Sequence, residues 1–223
     1  MIKKYRGFTL TAFAIFSAVF FINQTAMSNT LINKEVVMTS NITINQNTFP
    51  VPNTHYQVMS RSEMADKEPI VLTRYERKDG RNRGLEGEHF STIYADNGLL
   101  KGFANISLDL VSLPLPTREE SEKIARDFLQ EYAPDLLPRM EISWIDPHDE
   151  PILSLNDKGE KETHTVTGMK VKAKNTKDGR WFWVIVGADS QPMIFERDIV
   201  WISFPGHRQT EKWLHDSWLK KQK

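Results

Sequence analysis

The chain has 223 residues, 39% of them apolar, with 29 basic and 29 acidic side chains and no cysteine. That is enough material for one large domain or two small ones, each with a real core. The missing thiol excludes disulfides, thiolate metal centres, cysteine nucleophiles and a lipid-modified N-terminal cysteine.

Lys3, Lys4 and Arg6 precede a largely apolar run, Phe8 to Ile22, and Ala26-Met27-Ser28 then supplies a small-x-small cleavage pattern. An uncleaved anchor would need about 20 apolar residues, and this run has 15. The segment therefore predicts a signal peptide over residues 1–28, cleaved after Ser28, and export to the periplasm or cell envelope of a bacterium. Its removal takes away three basic residues and leaves 26 against 29 acidic ones, a charge of −3. Weak acidity argues against a nucleic-acid partner.

Residues 29–67 read as an extended N-terminal arm, rich in Asn and Thr, with Pro50 and Pro52 interrupting any long strand. A first unit follows over residues 68–116. Ile70 to Arg77 and Phe90 to Ala95 read as strands, and Asp96-Asn97-Gly98 is a hairpin turn because Asn-Gly tolerates positive φ. Leu100, Gly102, Ala104, Ile106 and Leu108 then alternate with polar residues, which predicts a half-buried strand.

A helix comes next. Thr117 with Glu120 makes a capping box, Ile124, Ala125, Phe128, Leu129 and Tyr132 form one apolar stripe, and Pro134 stops it. The second unit, residues 117–203, continues with a strand from Met140 to Ile145. Asp146 to Glu162 then reads as a polar loop with a short strand at Ile152-Leu153, and Gly168 to Lys174 as the next strand.

Arg180 to Ser203 gives two strands around a turn at Asp189-Ser190-Gln191. Trp181, Trp183 and Ile185 point one way and Phe182, Val184 and Val186 the other, so this strand is covered on both faces. In its partner, Met193 and Phe195 oppose Glu196 and Asp198, as expected where one face meets water.

Two stretches echo each other. Lys78-Asp79-Gly80-Arg81 recurs as Lys177-Asp178-Gly179-Arg180, and Asp96 in YADNG aligns with Asp189 in GADSQ, at offsets of 99 and 93. Each pair falls at the same point in a strand–turn–strand order, which predicts a structural repeat.

The residues Tyr75 to Gly87, Tyr94 to Gly98 with Leu100 and Gly102, Thr117 to Ala125 and Val184 to Asp189 resemble the PepSY group of domains. The likeness is to the paired FTP and PepSY modules in propeptides of thermolysin-type metallopeptidases. Ser121 stands where alanine is usual there, and Ser190-Gln191 replaces a glycine-containing turn. The family's glutamine-rich strand is represented only by Arg74-Tyr75-Glu76-Arg77. The resemblance implies an α+β fold of antiparallel sheets with a packed helix, and two PepSY-like units. It also implies a role in binding, inhibiting or assisting the folding of a protein partner in the cell envelope. It implies no catalytic residue and no cofactor.

Motifs for chemistry are sparse. No His-Glu-x-x-His, phosphate loop or Gly-x-Ser-x-Gly occurs. Asp146-Pro147-His148-Asp149-Glu150 gathers possible metal ligands, but an exposed polar loop explains it. A dispersed hydrolase site using His89 or His164 is the third-ranked option. Binding readings fall on tryptophans. A short helical tail over residues 204–223 brings Trp213, Leu214 and Trp218 together, either docked on the chain's own sheet or serving as a partner anchor. Lys212, Lys220 and Lys221 beside it would permit contact with an anionic membrane, a weaker option. Trp144, Trp181 and Trp183 would line a concave sheet face suited to carrying a small hydrophobic ligand, the alternative function.

Overall fold

The computed structural model describes residues 48–222. The predicted signal peptide and residues 29–47 of the predicted arm lie outside them. Eight antiparallel strands form one sheet: β1 (His55–Ala65), β2 (Glu68–Arg77), β3 (His89–Ala95), β4 (Leu100–Ile106), β5 (Met140–Leu155), β6 (Lys161–Asn175), β7 (Trp181–Val186) and β8 (Pro192–Ile199). Their spatial order is β1-β2-β3-β4-β8-β7-β6-β5. The chain thus makes two four-stranded meanders and joins them along β4 and β8, where Gly102, Phe103 and Ala104 pair with Glu196, Phe195 and Ile194.

The repeated Lys-Asp-Gly-Arg turns occupy matching places, after β2 and after β6. The Asp96 and Asp189 turns likewise close β3–β4 and β7–β8. In each, one residue takes the left-handed conformation: Gly98 (φ 81°) in the first and Ser190 (φ 59°) in the second. The expected pair of separate sheets is instead one continuous sheet, because strand pairing across the seam satisfies both inner edges at once.

Helix α1 (Arg118–Tyr132) connects the meanders and covers one face. Its capping box forms as the sequence predicts. Thr117 Oγ1 accepts from Glu120 N at 3.2 Å, and Glu120 Oε2 accepts from Thr117 N at 2.8 Å. Ala125, Phe128 and Leu129 pack on Phe90, Phe103, Phe182 and Phe195. The opposite face carries Ile70, Leu72, Ile93, Ile106, Ile185 and Ile194. It is covered by Trp213, Leu214 and Leu219 of the C-terminal segment, which contains the short helix α2 (Asp216–Leu219), and by Ile152 and Val166 of the β5–β6 hairpin. A small ribbon, β9 (Trp201–Ile202) with β10 (His207–Arg208), follows β8. Among the described residues no helix is long and apolar enough to cross a membrane.

Four sequence expectations change. The segment Asp146 to Glu162 is not a loop. β5 and β6 pair from Met140↔Asn175 out to Leu155↔Lys161, and Leu153 N donates to Glu86 O at 2.7 Å, tying the hairpin's far end to the β2–β3 connection. With two prolines, several carboxylates and Ile152 as its one β-branched residue, the segment has little strand propensity of its own, and pairing with β6 makes Asp146 to Leu155 a strand. Second, β4 is buried on both faces, since Phe103, fully buried, lies under α1 while Ala104 and Ile106 face the other core. Third, β8 does not meet water: Glu196 and Arg197 are buried, and a bulge at Val186↔Pro192 puts Met193 on the face opposite Phe195. Last, the end of the expected arm forms edge strand β1, paired with β2 from His55↔Arg77 to Ala65↔Glu68.

Candidate functional site

The predicted anchor residues of the tail turn inward. Trp213 and Leu214 are buried on the chain's own sheet, Trp213 Nε1 donates to Met64 O at 2.8 Å, and Trp218 packs edge-on against Trp213 at 4.3 Å. A buried polar network fastens this segment. Arg74 grips Asp216 with two hydrogen bonds of 2.7 and 3.0 Å, and Asp216 Oδ2 also accepts from Glu86 N at 2.6 Å. His215 sits between carboxylates, with Nε2 3.2 Å from Glu196 Oε2 and Nδ1 3.5 Å from Glu150 Oε1. Glu196 also accepts from Arg208 Nη2 at 2.7 Å and from Trp183 Nε1 at 3.1 Å.

Burial alone would lower the His215 pKa, but the Glu196 charge and the hydrogen bonds to Glu150 and Glu196 outweigh it and raise the value to about 9. Burial would raise Glu150, yet hydrogen bonds from His148 and His215 bring it down to about 2. Glu196 is held well below the usual carboxylate range, its own burial being overcome chiefly by Arg208 and His215. His215, Glu150 and Glu196 are therefore held as fixed charges at neutral pH.

The histidines named for a hydrolase have different surroundings. His89 Nδ1 is 2.9 Å from Ser91 Oγ and its Nε2 is 3.9 Å from Asp216. These are the residue types of a Ser–His–Asp relay, but the serine sits on Nδ1 instead of Nε2 and the Asp216 contact is beyond hydrogen-bond distance. Both Ser91 and His89 are also buried, and Asp216 is already committed to Arg74. Burial, then Arg74, lowers the His89 pKa to about 4, which keeps the ring neutral. In His164, Nε2 alone faces both Ser154 (2.8 Å) and Glu162 (3.8 Å), so no relay passes through the ring. In the Asp146–Glu150 stretch, His148 Nε2 meets Glu150 at 3.0 Å. Among the described residues, no group of three or more His, Asp or Glu side chains converges to hold a metal ion.

Trp144, Trp181 and Trp183 do share a face, but with lysines set among them. Lys172 Nζ lies 4.4 Å from the Trp181 ring centre and 5.4 Å from that of Trp144, while Lys170 Nζ lies 3.9 Å from that of Trp183. Register explains this: Lys172 of β6 stands between Trp144 of β5 and Trp183 of β7.

A concave feature lies elsewhere, beside α1. A groove of about 550 Å³ runs between the helix and the ends of β3, β4 and the β7–β8 turn. Phe49, from the stretch that sequence reading assigned to the arm, enters it. Its ring centre is 4.1 Å from Phe103 and 4.9 Å from Tyr132, and it also contacts Phe90 and Phe128. Phe49 N donates to Tyr94 Oη at 2.9 Å, and Pro50 and Pro52 continue along the groove. Sequence reasoning passed over Phe49. The available signal was a lone aromatic residue followed by Pro-Val-Pro inside an otherwise polar stretch. The groove thus carries an aromatic side chain on a proline-bearing backbone, and Asp127, Glu131, Asp189 and Ser190 also line it.

No protein-family model matches this chain, and neither a curated protein nor a solved structure does.

Proposed function

We propose that the protein is an exported, non-catalytic binding module of the bacterial cell envelope. It modulates a partner protein by holding an extended segment of that partner in the groove beside α1. The observation that carries this reading is the seating of Phe49: four aromatic rings and the Tyr94 hydroxyl already hold one such segment of the chain itself. Proline-rich extended segments lose little entropy on binding, and aromatic anchors in desolvated pockets dominate interface energetics. The PepSY-like layout, two units each with its Lys-Asp-Gly-Arg turn, supports an envelope peptidase as the partner, in an inhibitory or folding-assistant role. On this reading Phe49 occupies the groove until a stronger segment replaces it.

The test uses a labelled peptide with the sequence of residues 46–54. A Phe49→Ala chain should bind it saturably, the unaltered chain much less, and a Phe49→Ala chain that also carries Tyr94→Phe should bind about five-fold more weakly, the share of one hydrogen bond. A peptide library screened on the Phe49→Ala chain should return an aromatic residue followed by proline. Equal binding to all three chains, or a library without an aromatic position, overturns the proposal.

A further inference from the structure

We propose that the face formed by Trp144, Lys172, Trp181 and Trp201, together with the tip of the β9–β10 ribbon, docks on an anionic phospholipid bilayer. This surface lies outside the α1 groove and does not depend on it.

The ribbon lays Trp201 near Lys172, whose Nζ is 5.7 Å from the Trp201 ring centre, so one ammonium group has three indole rings around it. Lys174 continues the row, 6.0 Å from Trp181. Among the described residues, neither Lys172 nor Lys174 has a carboxylate within ion-pairing distance, whereas Arg208, on the same ribbon, is spent on Glu196. Trp144 is 37% and Trp201 48% exposed. Beyond them the ribbon's turn, Ser203 to Gly206, is exposed throughout, and Phe204 at 90% is the most exposed large apolar residue described.

A protruding phenylalanine gains nothing from the fold. Backed by indoles and unpaired ammonium groups, it has the chemistry of a bilayer interface. Trp rings and lysine stems settle at headgroup depth, cations meet lipid phosphates, and an apolar tip enters the acyl boundary. The ammonium groups already stand over the indole faces, which leaves those faces poorly disposed to stack on a sugar.

Vesicle flotation tests this. The chain used begins at Gln46, so that the apolar run Phe8–Ile22 contributes nothing; both cores are built from residues 49–219. Vesicles of phosphatidylcholine with one-third phosphatidylglycerol should bind it, and pure phosphatidylcholine vesicles far less. Phe204→Ser should weaken binding about ten-fold or more. Lys172→Gln and Lys174→Gln should each weaken it about five-fold, on the anionic vesicles only. An unchanged thermal midpoint for Phe204→Ser separates loss of contact from loss of fold. Absence of binding, equal binding to neutral vesicles, or indifference to Phe204→Ser overturns the proposal. So does a soluble polyanion, dextran sulfate, that binds as tightly as vesicles and is unaffected by Phe204→Ser, since the surface would then read charge alone.

Discussion

His215 is the residue on which the attachment of the tail turns. It donates toward Glu196 of β8 and Glu150 of β5 at once, so its charge links three segments far apart in sequence. Because its pKa rises from 6.5 to about 9 on folding, its contribution is complete below pH 6.5 and is lost as pH climbs through 9. His89 acts in the opposite sense. Held neutral with a pKa near 4, it contributes fully above pH 6.5, and that contribution fades as pH falls through 4. Glu150, lowered to about 2, adds to the loss at the acid end, below pH 4.5. Stability should therefore peak near pH 6.5 and decline on both sides. The alkaline loss between pH 6.5 and 9 is on the order of 2–3 kcal/mol. Thermal melts across that range should show the slope in the natural chain and lose it in His215→Gln; a slope that persists in the variant would assign it to other groups.

At the scale of elements, the seam between β4 and β8 carries the architecture. Only three residue pairs make it, and Gly102 is one member. A Cβ at that position would meet Phe195 O at 2.7 Å and Leu214 Cδ1 at 2.9 Å, so the backbone of β8 and the tail both approach a bare Cα. Gly102→Ala should cost about 2 kcal/mol or more, because the first obstacle is backbone and cannot rotate away. Urea titration reads this directly, and a change below about 0.5 kcal/mol would mean that the seam can spread to take a methyl group. The tail is held differently. Arg74 and Asp216 bring opposite charges together in a buried site, where removing one partner leaves the other uncompensated.

For the whole molecule, two meanders that share a sheet and both cores should unfold as one. Far-UV circular dichroism and tryptophan fluorescence should give coincident midpoints in urea. The six tryptophans all lie in the second meander or after it, and of these Trp213 rests on Met64 of β1, so a separately melting first meander would appear as a dichroism step accompanied by only part of the fluorescence change. That result would divide the molecule at the seam.

The helix was fully legible, since Thr117, Glu120 and the stripe ending at Tyr132 act within five turns of chain. So were β2, β3 and β7, the hairpin turn at Asn97-Gly98, and the repeat of Lys-Asp-Gly-Arg. Each rests on local periodicity or on the φ demanded by one residue. Glu196 was misread because alternation reports polarity and not what covers it. A carboxylate looks solvent-facing until Arg208, His215 and Trp183 are brought to it from elsewhere in the chain. The strand character of Asp146 to Leu155 was hidden for a related reason, since its backbone is satisfied only by β6 and its far end by Glu86. For the tail, docking on the chain's own sheet was the favoured reading over an outside partner, and Trp213 and Leu214 are buried there. Short-range sequence order thus determined the helix, most strands and the duplicated plan. Tertiary structure alone decided which polar groups are buried, where Phe49 lodges and which tryptophans remain exposed, because burial depends on segments far apart in the chain whose approach no local pattern encodes.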